Sequence, residues 1–284
     1  MSLAASDPSA LPRVMGIVNV TPDSFSDGGF HATAESAVAH GLDLVAQGAD
    51  VVDVGGESTR PGATRPVVAE EMHRVLPVIT GLVAHGVVVS VDTMRAEVAR
   101  TALAAGATIV NDVSGGLADE EMLDVVAAST ATYVAMHWRA HGDRMRDFTD
   151  YPDGVVPTVV GELTDRLRAI EAAGIAQDRV VLDPGLGFAK EPRHNWELLA
   201  ALGPLRDLGC PLLVGASRKS FLGSLLAGPD GPRDLGGREH AHAALVALLA
   251  ERGVDVLRVH DVRATRDALA VVAALRDAAP EERA

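Results

Sequence analysis

The chain has 284 residues, of which 48% are hydrophobic, and a formal net charge of −14. This length and apolar content suit one large α/β domain with a sizeable core. The negative charge argues against a nucleic-acid or anionic-membrane partner, because both need a basic protein face. The N-terminal sequence MSLAASDPSALPR carries no targeting pattern, and no apolar run is long enough to span a bilayer, so we expect a cytoplasmic protein.

Short runs rich in Val, Ile and Leu recur along the chain and predict eight buried strands. They are Val14–Val20, Val51–Val54, Val87–Val91, Thr108–Val110, Thr132–Met136, Val180–Leu182, Leu212–Val214 and Val256–Val259. Between them, helical spacing predicts helices at Ala34–Gln47, Val67–Ala84, Arg95–Ala105, Val156–Ala173 and Arg263–Leu275, with C-terminal glycines at Gly48, Gly86, Gly106 and Gly174. Eight alternating units predict a parallel, closed (β/α)₈ TIM barrel as a single domain at 13–277, with a disordered N-terminal tail at 1–12 and a C-terminal tail at 278–284.

Polar side chains stand at the C-terminal end of every predicted strand. In chain order they are Asn19, Asp53 with Glu57, Asp92, Asn111 with Asp112, His137, Asp183, the group Ser217, Arg218 and Lys219, and Arg258 with His260. At any single position such a residue is equally well explained as a helix cap. Because all eight strand ends of a barrel meet at one mouth, the complete set instead predicts an active site there.

Three loops add candidate chemistry to this mouth. The stretch GGESTRPGA, residues 55 to 63, suits a flexible arm that carries Arg60, although a plain surface turn is the competing interpretation. The stretch LDPGLGFAK places Asp183 before a turn, with Phe188 and Lys190 beyond it. The stretch VGASRKSFLG places polar and basic groups at a helix start, where anions bind.

These stretches, in this order, resemble the dihydropteroate synthases, the folate-pathway members of the pterin-binding barrels. The resemblance is carried by NVTPDSFSDGG, DVGGESTRPGA, SVDTMRAEVA, NDVSGG, MHWR, DPGLGF, GASRKSFLG and RVHDV, which together span nearly the whole chain. It implies a transferase that joins 6-hydroxymethyl-7,8-dihydropterin pyrophosphate to p-aminobenzoate, releasing 7,8-dihydropteroate and pyrophosphate. The family is usually dimeric, so a homodimer is expected.

The resemblance also implies a role for individual residues. Asp183 would accept two bonds from the pterin edge, as a carboxylate can, and Lys219 would donate to the other side of the ring. The implied pterin site contains Asp92, Asn111, Asp183, Lys219, Met136, Phe188 and Arg258. The implied pyrophosphate site contains Asn19, Arg258 and His260, with Asn19 also binding Mg²⁺ through its amide oxygen.

The p-aminobenzoate site implied by the resemblance lies largely on two loops. It contains Phe25, Thr59, Arg60, Pro61 and Ser217. An ion pair between Asp27 and Arg60 would close both loops over the mouth and exclude water from a pterin cation, so Asp27, Arg60 and Lys219 are the expected catalytic residues.

One departure and two alternatives accompany this hypothesis. Ala189 stands where the family more often has Gly, which would cost about 1 kcal/mol if the position requires a positive φ. The first alternative is a pterin-binding methyltransferase that transfers a methyl group to a corrinoid, which would lack Asn19 and the Arg60 loop. The second is a non-catalytic relative that binds pterin without turnover.

Overall fold

The computed structural model describes residue 3 and residues 10–21, 34–57, 65–141 and 144–279. Eight strands are present: β1 Arg13–Asn19, β2 Val51–Gly55, β3 Val89–Asp92, β4 Ile109–Asp112, β5 Thr132–Met136, β6 Val180–Asp183, β7 Leu213–Val214 and β8 Val256–Val259. They form one parallel sheet in the order β6-β5-β4-β3-β2-β1-β8-β7. A parallel bridge from Leu182 to Leu212 links β6 to β7, so the sheet closes on itself. The predicted TIM barrel is therefore confirmed.

Helices follow the strands on the outside of the barrel. They are α1 Ala34–Ala46, α2 Val68–Ala84, α3 Ala96–Ala104, α4 Met122–Ala127, α5 Val155–Ala172, α6 Pro192–Ala200, α7 Gly203–Arg206, α8 Ser220–Leu225, α9 Glu239–Glu251 and α10 Val262–Ala278. The five predicted helices correspond to α1, α2, α3, α5 and α10. The four predicted glycine caps have φ values of 108°, 74°, 104° and 89° for Gly48, Gly86, Gly106 and Gly174. The other five helices, the short α4, α6, α7 and α8 and the 13-residue α9, were not among the predicted ranges.

Two apolar layers hold the barrel together. Inside it, Met15, Val51, Ile109, Val134, Val181, Leu213 and Val256 form one cluster, which also includes Leu3. A larger cluster fills the space between the outer face of the strands and the helices. Because the interior is packed with side chains, ligands can bind only at an end of the barrel. None of the helices in the described ranges is long and apolar enough to cross a membrane.

Candidate active site

A cavity of about 400 Å³ opens at the C-terminal ends of the strands. This volume is typical of a small-molecule site. Its lining includes the ten described residues that the sequence assigned to ligand binding: Asn19, Asp92, Asn111, Met136, Asp183, Phe188, Ser217, Lys219, Arg258 and His260. The other five, Phe25, Asp27, Thr59, Arg60 and Pro61, lie outside the described residues. The structure therefore brings together every predicted site residue that it describes.

Asp183 ends β6 and is 6% exposed. The backbone N–H of Gly185 donates to Asp183 Oδ1 at 2.7 Å, which fixes the orientation of the carboxylate. Burial raises the pKa of Asp183, and the charge of Lys219 and the Gly185 bond oppose that shift. A buried carboxylate held in this way is a strong acceptor for paired N–H donors.

Lys219 immediately precedes α8 and extends into the same cavity. Its ammonium group donates to the carbonyl oxygen of Leu186 and lies 5.0 Å from the centroid of the Phe188 ring. Burial lowers the pKa of Lys219 to about 8, with Asp183 opposing the shift and Arg258 adding to it. The Lys219 ammonium is therefore mainly protonated at neutral pH, where it can donate hydrogen bonds, and it loses its proton about one pH unit higher.

Arg258 is held on the barrel floor by two carboxylates. Its Nε donates to Asp53 Oδ2 and its Nη2 donates to Asp92 Oδ2, each at 2.7 Å. Asn111 Nδ2 donates to the same Asp53 oxygen at 3.1 Å. Asp53 is fully buried, and the sequence identified it only as a polar strand end. Asp53 therefore acts beneath the site by holding both Arg258 and Asn111.

Asp92 lies between Arg258 and the open cavity. Burial raises the pKa of Asp92 to about 7, with Arg258 opposing the shift and the neighbouring Asp53 adding to it. The two carboxyl groups that share this guanidinium place acceptor oxygens at the floor. Such a floor favours a ligand that presents N–H donors.

Ser217 and His260 contact each other at the other side of the mouth. The Ser217 hydroxyl lies 3.0 Å from His260 Nδ1 and accepts the His260 backbone N–H at 3.2 Å. α10 begins two residues later, with the Asp261 side chain accepting from Ala264 N at 2.9 Å. Polar donors and a long helix start therefore stand together, an arrangement suited to an anion.

Asn19 ends β1 at the cavity edge. A Cβ built on Gly55 would lie 3.7 Å from Asn19 Oδ1 and 3.5 Å from Asp92 Oδ2, so the missing side chain leaves room beside two oxygen atoms. Among the described residues no group of three or more His, Cys, Asp or Glu side chains forms a metal site. The donor set therefore fits a hard cation that takes few protein oxygens and completes its shell from water and phosphate.

One wall of the cavity is apolar. Met136 packs with Met94 and Val113, and Phe188 packs against this cluster. Sequence reasoning missed five apolar lining residues, Ile17, Val113, Met145, Leu186 and Leu235. Met145 lies in a short 3₁₀ turn, Met145–Phe148, within the connection between β5 and α5. Because this turn lies far from β5 along the chain, the local sequence does not indicate which of its side chains points into the cavity.

Two arginines line the cavity, Arg218, which the sequence placed among the polar strand ends, and Arg238, which it did not identify. Arg238 Nη1 donates to the Arg218 carbonyl at 2.8 Å, and Arg218 Nε donates to Glu239 at 3.2 Å. Arg218 has a φ of 61°, a conformation that non-glycine residues rarely adopt. The rim is therefore more basic than the predicted residues alone imply.

Ion pairs hold the described residues at the base of the second loop. Glu57 lines the cavity and lies 3.1 Å from Arg65 and 3.7 Å from Arg95. Arg95 also contacts the buried Glu71 at 3.4 Å. The predicted Asp27–Arg60 pair lies outside the described residues, so it stays a prediction.

Ala189 has a φ of 49°, so the position does require the left-handed conformation. Its carbonyl accepts the Tyr151 hydroxyl at 2.9 Å. The strain suspected from the departure at this position is therefore real, and it lies one residue beyond Phe188.

Comparison with known proteins agrees with this geometry. The profile of the family described as "Pterin binding enzyme" matches residues 15–260. The dihydropteroate synthase of Mycobacterium leprae (strain TN) is 52% identical over 271 residues, with 95% of each chain covered.

Solved structures give the same result. The Xanthomonas albilineans dihydropteroate synthase with 4-aminobenzoic acid has a TM-score of 0.87 and 49% identity, covering 96% of this chain and 95% of that one. The same organism's enzyme in complex with 7,8-dihydropteroate has a TM-score of 0.84 and 46% identity, covering 96% of both chains. With its barrel, its strand-end carboxylates and these relatives, the chain belongs to the pterin-binding enzymes and, among them, to the dihydropteroate synthases.

Proposed function

We propose that this chain is a transferase of folate biosynthesis that condenses 6-hydroxymethyl-7,8-dihydropterin pyrophosphate with p-aminobenzoate. The products are 7,8-dihydropteroate and pyrophosphate. The observation that carries the proposal is the convergence of Asp183, Asn111 and Lys219 in one cavity with Ser217 and His260 at its anion-binding edge. The relatives bound to 4-aminobenzoic acid and to 7,8-dihydropteroate support the substrate class.

The deep part of the cavity is the proposed pterin site. The Asp183 carboxylate accepts adjacent N–H bonds from the amidine-like edge of the ring, and Lys219 donates to its carbonyl and nitrogen side. Asn111, oriented by Asp53, completes the edge. Met136 forms the apolar floor. Because Arg258 is held by Asp53 and Asp92, its guanidinium is already in place beneath the ring or beside the diphosphate.

The pyrophosphate group is proposed to lie toward the rim. Asn19, His260 and the start of α10 would hold it, with Asn19 as the protein ligand of Mg²⁺. When bound, Mg²⁺ neutralises charge on the leaving pyrophosphate oxygens. The residues of this chain would orient the diphosphate so that it can depart and leave the methylene carbon open to the incoming amine.

The reaction is proposed to begin with C–O cleavage, before the amine attacks. An electron-rich dihydropterin can delocalise a methylene cation, and an aniline nitrogen is a weak nucleophile. The carboxylates of Asp53, Asp92 and Asp183 would stabilise such a cation, and the charges of Arg258 and Lys219 would oppose them. The role of the chain in this step is to hold the ring and exclude water.

The p-aminobenzoate site is proposed to form from Phe25, Thr59, Arg60 and Pro61 together with Ser217. Asp27 would pair with Arg60 and close both loops over the cavity. Of these residues, Ser217 is among those described, and it lies at the cavity edge where a carboxylate would meet the helix start. The basic rim of Arg218 and Arg238 adds attraction for an anionic acid.

A coupled assay for pyrophosphate release tests this function directly. With both substrates and Mg²⁺ we expect release of pyrophosphate and formation of 7,8-dihydropteroate in equal amounts, and loss of turnover when the metal is chelated. Pterin binding without any release would instead identify the non-catalytic alternative. Methyl transfer to a corrinoid would identify the methyltransferase.

A homodimer and a cytoplasmic location complete the proposal. Leu248 on α9 and Val271 and Leu275 on the neighbouring α10 are 55%, 59% and 68% exposed, which is high for large apolar side chains. Exposed apolar side chains on adjacent helices are typical of a subunit interface. Sedimentation of wild type and of Leu275→Glu would test the dimer, because a charge at the interface should shift the protein to monomer.

A further inference from the structure

A buried lysine lies behind the Asp183 turn, outside the cavity. Lys190 is 8% exposed, and its Nζ lies 2.9 Å from His137 Nδ1 and 3.0 Å from the Phe188 carbonyl oxygen. The proposed chemistry gives this lysine no role. An ammonium group is rarely buried unless its charge is used, because its desolvation is costly.

The lysine is the inner end of a chain of polar contacts that reaches the protein surface. His137 is 2% exposed, and its Nε2 lies 2.7 Å from Glu162 Oε2. Arg139 Nη2 donates to the other Glu162 oxygen at 2.6 Å. The Glu162 end borders a second cavity of about 230 Å³. The chain Lys190–His137–Glu162 therefore links the back of the Asp183 turn to solvent.

The protonation states of these groups determine which atom donates each hydrogen bond. Burial lowers the pKa of His137 to about 4, with Lys190 adding to the shift and Glu162 opposing it, so the ring is neutral. Glu162 is anionic, since the bonds from His137 and Arg139 outweigh its partial burial and lower its pKa to about 2. A carboxylate can only accept, so His137 Nε2 donates to Glu162 and its Nδ1 accepts from the Lys190 ammonium.

The turn that carries Asp183 packs directly onto this group. A Cβ on Gly185 would lie 2.3 Å from the His137 carbonyl oxygen and 3.4 Å from Lys190 Nζ, and Gly185 has a φ of 67°. Gly185 therefore fits between them only without a side chain. Its N–H donates to Asp183, and the His137 backbone N–H donates to the Asp183 carbonyl at 2.8 Å. The position of Lys190 is thus transmitted to Asp183 through one residue.

We propose that Lys190, oriented by His137 and Glu162, is a positioning residue that keeps the Asp183 carboxylate ionised and directed at the pterin. The inference rests on the proposed function, because it needs Asp183 to be the pterin acceptor. Lys190 acts from behind the turn by its charge and by its bond to the Phe188 carbonyl. Lys219, which faces the cavity, contacts the ligand instead.

Protonation of Lys190 makes this role dependent on pH. Burial lowers the pKa of Lys190 to about 7, with Asp183 opposing the shift. The charged groups that act on it from the surrounding elements are Asp183, Lys219, Arg139 and Glu162. The titratable rings of His137 and His194 also face it, and its charge contributes to the lowered pKa of both. Below this pKa the ammonium charge favours the Asp183 anion. Above this pKa Lys190 of the wild-type protein is neutral, so it no longer has this effect.

The test is calorimetric titration of 6-hydroxymethyl-7,8-dihydropterin into wild type and Lys190→Met between about pH 6 and pH 9. At the acid end we expect about tenfold weaker binding by the variant, because Asp183 with only Lys219 and Arg258 as neighbouring cations takes up a proton more easily. At the basic end the two affinities should converge to within about twofold, because Lys190 is neutral there. A structural defect alone would weaken binding equally across the range.

Glu162→Gln keeps the test decisive if Lys190→Met does not fold. Glu162 has a side chain that is 41% exposed, so the substitution should be tolerated. Without the negative charge of Glu162, Lys190 loses its proton at a lower pH. We therefore expect the same dependence on pH, with pterin affinity about threefold below that of wild type near pH 6.5. Asp165→Asn is the matched control, since Asp165 lies on the same helix, is 72% exposed and pairs with Arg168 rather than His137. Its affinity should equal that of wild type at every pH.

The outcomes separate the inference from the proposed function. Wild type that fails to bind the dihydropterin would overturn the function itself. Wild type that binds, with a pH-independent loss or no loss in both Lys190→Met and Glu162→Gln, would overturn the positioning role. An acid-side loss that disappears at the basic end supports it.

Discussion

Arg258 on β8 donates from Nε to Asp53 Oδ2 on β2 at 2.7 Å, joining residues 205 positions apart in the chain. The same Asp53 oxygen accepts from Asn111. One fully buried carboxylate thus sets the orientation of two residues that we place at the pterin. The floor of the site depends on a residue that is buried beneath it.

Replacing Asp53 should therefore damage both stability and binding. In Asp53→Asn we expect the free energy of unfolding to fall by about 3 kcal/mol, because the Arg258 guanidinium loses one of its two buried anionic partners. Pterin affinity should fall as well, since Asn111 is released from its orientation. Urea unfolding and calorimetry of the same preparation measure the two effects. Asp165→Asn, at an exposed ion pair with Arg168, is the control, and an equally small effect of both changes would contradict this role.

Lys219 should be sensitive to shape as well as to charge. Lys219→Arg should not restore the activity lost in Lys219→Ala, because a planar guanidinium cannot replace a compact ammonium beside the ring. Measurement of kcat/KM for the pterin substrate tests this. Activity of the arginine variant within a few-fold of wild type would show that charge alone is sufficient.

The activity of wild type should also fall on the basic side. Burial lowers the pKa of Lys219 to about 8, so its charged form is present below that pH and is lost as pH rises through it. We expect kcat/KM for the pterin substrate to decline above about pH 8, with the decline absent from the residual activity of Lys219→Ala. A basic decline that is identical in the alanine variant would assign it to another group.

Strands and long helices were predictable because they carry repeated patterns. All eight strands lie within two residues of their predicted limits. Polar residues that follow seven of the strands line the cavity, because parallel strands converge there. The prediction was wrong for His137 after β5, which contacts Glu162 and Lys190 behind the Asp183 turn instead. The short helices gave no such signal: α8 has six residues, too few to show a period. Pairings across the barrel, such as Arg258 with Asp53, were not predictable, because register and rotamer decide them rather than local sequence.

Loop closure makes a prediction about the order of binding. Ordering the loops that carry Phe25 and Arg60 costs about 1–2 kcal/mol per residue, which a small benzoate cannot offset alone. We expect pterin pyrophosphate to bind first, and a sulfonamide mimic of the acid to bind only when pyrophosphate and Mg²⁺ are present. Tight sulfonamide binding to the protein alone, seen by calorimetry, would contradict this order.

Arg60→Ala is the variant that ties this order to the loops. It should weaken binding of the acid and of the sulfonamide while sparing that of the pterin, because we expect Arg60 to pair with Asp27 and close the loops rather than to contact the pterin. Equal loss of pterin affinity would show that the loop residue serves the pterin site instead.

Ala189 offers a test of backbone strain. Ala189→Val should lower the free energy of unfolding by more than about 2 kcal/mol, because a β-branched side chain is strongly disfavoured at a φ of 49°. Ala189→Gly should be nearly neutral, since relief of strain offsets the lost methyl group and the greater freedom of glycine. Ala270→Gly in α10 is the comparison, with an expected cost of about 1 kcal/mol. An equal cost of both glycine substitutions would mean that Ala189 is not strained.

The assignment of Asp183 is tested most directly by titrating 6-hydroxymethyl-7,8-dihydropterin into Asp183→Asn in a calorimeter. The amide presents its NH₂ to a ligand donor where the carboxylate accepts bonds, so at least about 100-fold of affinity should be lost while the fold is kept. Thermal unfolding close to that of wild type would establish that the fold is intact. Loss of binding by such a folded variant is the result predicted here. Pterin affinity within a few-fold of wild type would contradict the placement of the pterin at Asp183, and with it the proposed arrangement of the site.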